Sequence, residues 1–252
     1  MSNPETWYRF RPGMGWWEHL WKALILRNNG DWRAALRPIL PPGGVAIDVG
    51  AHGGMFTRML SALVGPGGMV IAVEPSGYAR SILAPALFLH RVRNAVVVAC
   101  ALGDANGLMV LRTPIKRLGA MGWGLANLSP ADRQQRDTVA EPVPVLTLDD
   151  LVRGLGLERI DFIKVDIEGH EAAFVAGAQA TLRRFQPALL LEMSVARMAL
   201  AGSTPGALWA TLADEFGYMP HELRNGVLHR LTAQPTGKPN VLWLPDRQEN
   251  TE

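Results

Sequence analysis

Cysteine is almost missing from this chain: Cys100 stands alone among 252 residues, so no intrachain disulfide can form. Long apolar runs are missing as well. A membrane-spanning helix needs about 18 or more consecutive apolar residues, and no such stretch exists. Charge of one sign is scarce. Lys and Arg number 25 against 23 Asp and Glu, a net charge of +2, and no long basic run suggests a nucleic-acid partner. The first residues have neither the basic-then-apolar pattern nor the small-residue cleavage site of a signal peptide. These absences predict a cytoplasmic protein with no nucleic-acid partner and no transmembrane segment. Peripheral membrane contact and homo-oligomerisation stay open.

Apolar residues, in contrast, are abundant, at 48% of the chain, enough for one sizeable core. From Val45 onward short β-branched runs alternate with amphipathic stretches, the pattern of βα units feeding a parallel sheet. The runs predict strands at Val45–Val49, Met69–Glu74, Ala95–Leu102, Ile160–Asp166 and Ala188–Met193. Helical spacing falls on Met55–Val64, Tyr78–His90, His170–Arg184 and Pro205–Phe216. Glu222–Arg230, turning at Asn225-Gly226, and Asn240–Leu244 read as an antiparallel edge. The expected fold class is α/β: a doubly wound, mostly parallel sheet with an antiparallel C-terminal edge hairpin. The expected organisation is a Trp-rich helical extension over residues 1–40, one domain over 41–245 and a polar tail over 246–252.

Two segments stand outside that pattern. Residues 1–40 hold five of the eight tryptophans. There Trp17, Leu20, Trp21, Leu24 and Ile25 fall on one helical face opposite Glu18, His19 and Lys22. That face predicts a helix packed on the domain, with a lid or an interface as alternatives. Residues 113–140 carry Pro114, Gly119, Gly122, Gly124 and Pro130 with little periodicity, and Lys116, Arg117, Arg133 and Arg136 among them. A loop of that length shapes a binding site or is a surface insertion.

The first strand runs into Asp48-Val49-Gly50-Ala51-His52-Gly53-Gly54, just ahead of a helix. Glycines allow close approach of a ligand, and a helix N-terminus offers free N–H groups. Glu74 ends the next strand, 20 residues past Gly54, where a carboxylate can accept both ribose hydroxyls of an adenosine. His52 and Met55 break the G-x-G-x-x-G spacing of a dinucleotide site, and there is no Walker A sequence. An NAD-dependent oxidoreductase is thereby disfavoured. The predicted cofactor-binding residues are Asp48, Gly50, Gly54 and Glu74, with Ala101 and Leu102 at the end of the third strand.

Several runs, in order, resemble the FkbM-type methyltransferases: Asp48 to Thr57, Val73-Glu74-Pro75, Thr147 to Leu151, Ile160 to Glu171, and Leu189 to Glu192. The most specific is Lys164-x-Asp166-x-Glu168-Gly169-x-Glu171. His52 and Gly53 depart from the family, which more often shows Asn and an aliphatic residue there. The resemblance implies a Rossmann-like methyltransferase fold and S-adenosylmethionine as methyl donor. It also implies a small-molecule or glycosidic acceptor, methylated at a hydroxyl of a saccharide or secondary metabolite. The alternative is a non-catalytic cofactor-binding or scaffold protein whose Trp-rich N-terminus docks a partner or a membrane.

Methyl transfer to an alcohol needs in-line alignment and removal of the hydroxyl proton. Strand alternation puts Lys164 and Asp166 on one face, with Asp166 at the strand's C-terminal end and Glu192 at the same end of the next strand. Asp166, Glu168 and His170 are the predicted catalytic residues. Asp166 and Glu192 are the predicted ligands of an optional Mg²⁺. Each carboxylate also has a structural reading, as a helix-dipole partner or as half of an ion pair with Lys164.

Overall fold

A computed structural model of the chain describes residues 6–7, 13–25, 30–114, 138–234, 236–237 and 240–246. In chain order the elements are β1 (Thr6–Trp7), α1 (Met14–Ile25), α2 (Gly30–Leu36), β2 (Val45–Val49), α3 (Met55–Val64), β3 (Met69–Val73), α4 (Gly77–Leu89), β4 (Ala95–Val98), β5 (Ala101–Leu102), β6 (Gly107–Pro114), β7 (Thr138–Leu146), α5 (Leu148–Gly154), β8 (Phe162–Val165), α6 (Glu171–Ala176), α7 (Gln179–Phe185), β9 (Ala188–Glu192), α8 (Val195–Leu200), α9 (Pro205–Ala210), β10 (Tyr218–Arg224), β11 (Val227–Arg230) and β12 (Asn240–Pro245). A π-helical turn, Thr211–Glu215, continues α9. Among the described residues no helix is long and apolar enough to cross a membrane.

Eight of the described strands form one sheet in the order β11-β10-β12-β9-β8-β2-β3-β4. The run from β9 to β4 is parallel, and β12, β10 and β11 add the antiparallel edge. Its hairpin turns at Asn225 and Gly226, both at positive φ, as a tight two-residue turn requires. The chain enters at β2, moves outward to β3 and β4, then returns to β8 on the other side of β2. Strand order therefore reverses between β2 and β8, the place where open α/β sheets bind ligands.

Both faces of the parallel strands are buried, and alternation sorts their side chains. Ile47 and Val49 pack with Ile163, Val165 and Leu189 beneath α5, α6 and α7. Ala46 packs with Phe162 and Leu190 beneath α2 and α3. Asp48 shares the α3 face with Ala46, and the register sets it against Lys164. Burying each large aliphatic or aromatic side chain contributes about 1.5–3 kcal/mol, so the sheet is the rigid platform of the molecule.

Four expected elements differ from what forms. Ala95–Leu102 is not one strand: β4 stays on β3, while β5 turns away to pair with β7 in a second small sheet. The 113–140 segment is not a loop throughout, because β6 and β7 pair antiparallel from Gly107↔Val145 to Pro114↔Thr138. Pro142 and Pro144, which cannot donate to a ladder, hid β7. Lys116, Arg117, Arg133 and Arg136 lie outside the described residues. The helix expected over 170–184 breaks at Gly177, where a Cβ would collide with the Gly103 carbonyl oxygen. Asp149 restarts it as α7, accepting from the N–H groups of Ala180 at 2.9 Å and Thr181 at 2.7 Å.

The fourth is α1, which packs on α4 through a face rotated from the one expected, keeping Leu20 and Leu24 but not Trp17, Trp21 or Ile25. Leu20, Ala23 and the partly buried Leu24 meet Tyr78, Ile82 and Ala86. His19 is buried, with Nδ1 2.7 Å from the Tyr78 hydroxyl, and Trp16 Nε1 donates to Ser81 Oγ at 2.9 Å. Trp17, Trp21 and Ile25 are exposed. Two polar partners on α4 rotate the helix so that a histidine enters and two indoles leave.

Candidate active site

A cleft opens at the C-terminal ends of β2, β3 and β8, at the reversal of strand order. Its floor is the turn after β2. Gly50 has φ 75, and a Cβ there would collide with the Asp166 carbonyl oxygen, so glycine lets the turns after β2 and β8 touch. His52 follows at φ 47, a left-handed conformation at a non-glycine residue.

Glu74 forms one wall. It is buried, and each carboxylate oxygen accepts one backbone N–H: Oε2 from His52 at 2.8 Å and Oε1 from Ser76 at 2.9 Å. An ionised carboxylate offers about four acceptor positions, so two stay available to a ligand in the cleft. Beyond it Cys100, Ala101, Leu102 and Leu111 make an apolar surface. Burial pushes the Cys100 thiol up to about 11, which keeps it neutral.

The opposite wall is Asp166, Ile167, Glu168 and His170. Asp166 Oδ2 lies 3.4 Å from Lys164 Nζ, and Glu168, at φ 60, pairs with Arg197. Gly169 has φ 104 and packs against the Arg197 backbone, so this turn is wedged against α8. His170 caps α6 without a side-chain capping bond, and its Nε2 has no hydrogen-bond partner among the described residues. Burial pushes its pKa below 6.5, with Asp104 acting weakly the other way, so the imidazole is neutral near pH 7.

Of the residues expected at a cofactor site, Gly50, Glu74, Ala101 and Leu102 line this cleft together with all three expected catalytic residues. Asp48 and Gly54 do not line it. Asp48 lies fully buried beneath α3, accepting from Thr57 Oγ1 at 2.6 Å, with Oδ1 3.6 Å from Lys164 Nζ. Gly54 is the left-handed N-cap of α3 and faces the Leu83 side chain. Glu192 does neighbour the Asp166 end of β8, but Arg197 lies 3.7 Å from its Oε2. Among the described residues no group of three or more His, Cys, Asp or Glu side chains is placed to hold a metal ion.

Sequence reasoning missed His52, Cys100 and Leu111. Leu111 sits on β6, whose pairing partner β7 the prolines concealed, and Cys100 lies at a strand break. Only His52 carried a signal, as a bulky residue inside a glycine turn. Arg197 was missed for another reason: its pairing depends on α8 folding back over the turn after β8.

The sequence matches the Methyltransferase FkbM domain over residues 48–220. Among curated proteins no match is found. The fold is similar to methyltransferase FkbM from Methylobacillus flagellatus KT, at 16% identity and TM-score 0.50, covering 84% of this chain and 50% of that one. This chain thus spans half the length of that protein. It is also similar to an O-methyltransferase from Bacillus cereus, at 14% identity and TM-score 0.51, covering 93% of this chain and 91% of that one. A putative O-methyltransferase from Klebsiella pneumoniae matches at 12% identity and TM-score 0.51, covering 94% and 92%. With the family domain matched over more than half its length, this chain belongs to the FkbM methyltransferase family.

Proposed function

We propose that this chain is an S-adenosylmethionine-dependent O-methyltransferase acting on a hydroxyl of a saccharide or secondary metabolite. The observation that carries the reading is Glu74: a buried carboxylate on the cleft wall, braced by two backbone N–H groups and with acceptor capacity left over for a ribose. The B. cereus protein that shares the fold was solved with S-adenosylhomocysteine. In the cleft Glu74 would accept the ribose hydroxyls, and Ala101, Leu102 and Leu111 would pack against the adenine. The bound cofactor supplies an activated methyl group on sulfur.

The chain's own chemical task is then proton removal from the acceptor hydroxyl. His170 suits it best, because the residue lines the cleft and its imidazole is neutral. Asp166 and Glu168 line the same wall, but Lys164 and Arg197 already offset their charge. The same two cations weigh against Mg²⁺, since Asp166 and Glu192 would have to give up Lys164 and Arg197 to bind it. Asp166 and Glu168 are assigned to acceptor positioning.

Calorimetric titration with S-adenosylhomocysteine tests the reading. The wild type should bind, and Glu74→Ala should weaken binding by about tenfold to a hundredfold, the loss of hydrogen bonds to a charged acceptor. Wild-type protein that binds no S-adenosylhomocysteine overturns the proposal; binding opens a screen of hydroxylated sugars and secondary metabolites for turnover.

A further inference from the structure

We infer that the outer face of α1, with the arginine-lined groove beside it, is a docking surface for an anionic lipid bilayer. Met14, Trp17, Trp21 and Ile25 recur at helical spacing along α1 and are exposed, the two indoles at 63% each. The side of α1 that packs on α4 is a different one. His90 Nε2 approaches the Leu24 carbonyl oxygen at 3.1 Å, so the C-terminal ends of α1 and α4 are adjacent. That end of α4 exposes Phe88, at 81%, and Leu89. Single exposed apolar residues need no explanation, but six on two adjoining helices do.

Where this apolar stripe stops, a groove begins. Arg58 Nη1 donates to the same Leu24 carbonyl at 3.4 Å and lines the groove with Arg33, His90, Arg91 and Arg93, and among the described residues no Asp or Glu lines it. None of its lining residues lines the cleft after β2.

Charge selects the occupant. A second copy of this chain would bring one acid-free arginine groove against another in a self-complementary contact. A bilayer answers both halves at once. Tryptophan favours the boundary between headgroups and acyl chains, and an apolar helical face buries itself there. Arginine meets lipid phosphates, each basic residue near an anionic leaflet adding about fivefold to binding.

Sedimentation of the full chain with vesicles tests this, using phosphatidylcholine alone and phosphatidylcholine with an equal part of phosphatidylglycerol. The protein should pellet with the anionic vesicles and be released by salt. Trp17→Ala/Trp21→Ala and Arg91→Glu/Arg93→Glu should each weaken pelleting by roughly tenfold or more. Circular dichroism should stay unchanged, since all four side chains are exposed. No pelleting with anionic vesicles overturns the inference, as does pelleting that survives both double substitutions. A concentration-dependent dimer abolished by Trp17→Ala/Trp21→Ala would also overturn it, assigning the face to a second copy. Retention of inorganic phosphate without pelleting would do the same, reducing the groove to a small-anion site.

Discussion

Lys164 Nζ lies 3.6 Å from Asp48 Oδ1, both side chains are buried, and the two residues are register partners on β8 and β2. Asp48 Oδ1 has no hydrogen-bond partner among the described residues and relies on that charge. Burial opposes the charge on Lys164, but Asp166 and Asp48 outweigh it and raise the pKa above its ordinary value. The ammonium also donates to the Gly50 carbonyl at 3.2 Å, so one cation joins the turns on either side of the switch point. Lys164→Met should cost about 3–5 kcal/mol, because it leaves the buried Asp48 carboxylate without a counter-charge. Asp48→Asn should cost less, about 1–3 kcal/mol, because Lys164 keeps Asp166. Urea denaturation of both variants checks the order, and equal costs would refute the account.

The parallel sheet and the residues at its strand tips were legible because they rest on local signals. Val45–Val49 and Met69–Val73 are β-branched runs each opened by glycine, and Glu74 follows directly at the tip of the second. What escaped depends on contacts distant in sequence. Asp48 reads as a ligand-orienting residue until Lys164, 116 positions away, is placed against it by the β2–β8 register. The apolar stripe of α1 reads as a packing face until Tyr78 and Ser81 draw in His19 and Trp16. In β7 the prolines argued against a strand that β5, β6 and β1 hold from both sides.

His52 sits at φ 47, while its backbone N–H holds Glu74. A left-handed conformation costs a β-branched residue about 1–2 kcal/mol, and Asn tolerates it. His52→Val should therefore lower stability by about that amount, whereas His52→Asn should be close to neutral. Thermal melts of the two variants separate backbone strain from loss of the imidazole. If Asn destabilises as much as Val, the imidazole itself matters and the strain argument fails.

The depressed basicity of His170 has a kinetic signature. A general base works only when deprotonated, so turnover should fall as pH drops through its pKa, and burial places that limb below 6.5. His170→Asn should reduce kcat by about a hundredfold or more and abolish the acidic limb. The pH profile of kcat/KM with an identified acceptor decides the matter. A limb that persists in His170→Asn would move the proton-accepting role to another group.

Glu171 is fully buried beneath the same turn, its Oε1 accepting from Ile167 N at 3.2 Å and Gly169 N at 3.3 Å, while Oε2 has no partner among the described residues. Burial pushes its pKa from 4.5 up to about 7, more strongly than the three backbone N–H groups, its own and those of Ile167 and Gly169, pull it down. Between those values the unfolded chain has released this proton and the folded chain still holds it. Its contribution is therefore complete below 4.5, declines as pH rises, and is gone above about 7, a loss on the order of 3 kcal/mol. Glu171→Gln keeps an acceptor for the backbone N–H groups but cannot ionise. Relative to the wild type it should grow more stable as pH rises across that window and level off above it. Other titrating groups, His170 included, cancel in that difference because both proteins carry them. Urea denaturation of the pair at a series of pH values measures it directly. A flat difference would mean that Glu171 is already ionised in the fold, and that the turn carrying Asp166 and His170 is braced by a carboxylate rather than by a carboxylic acid.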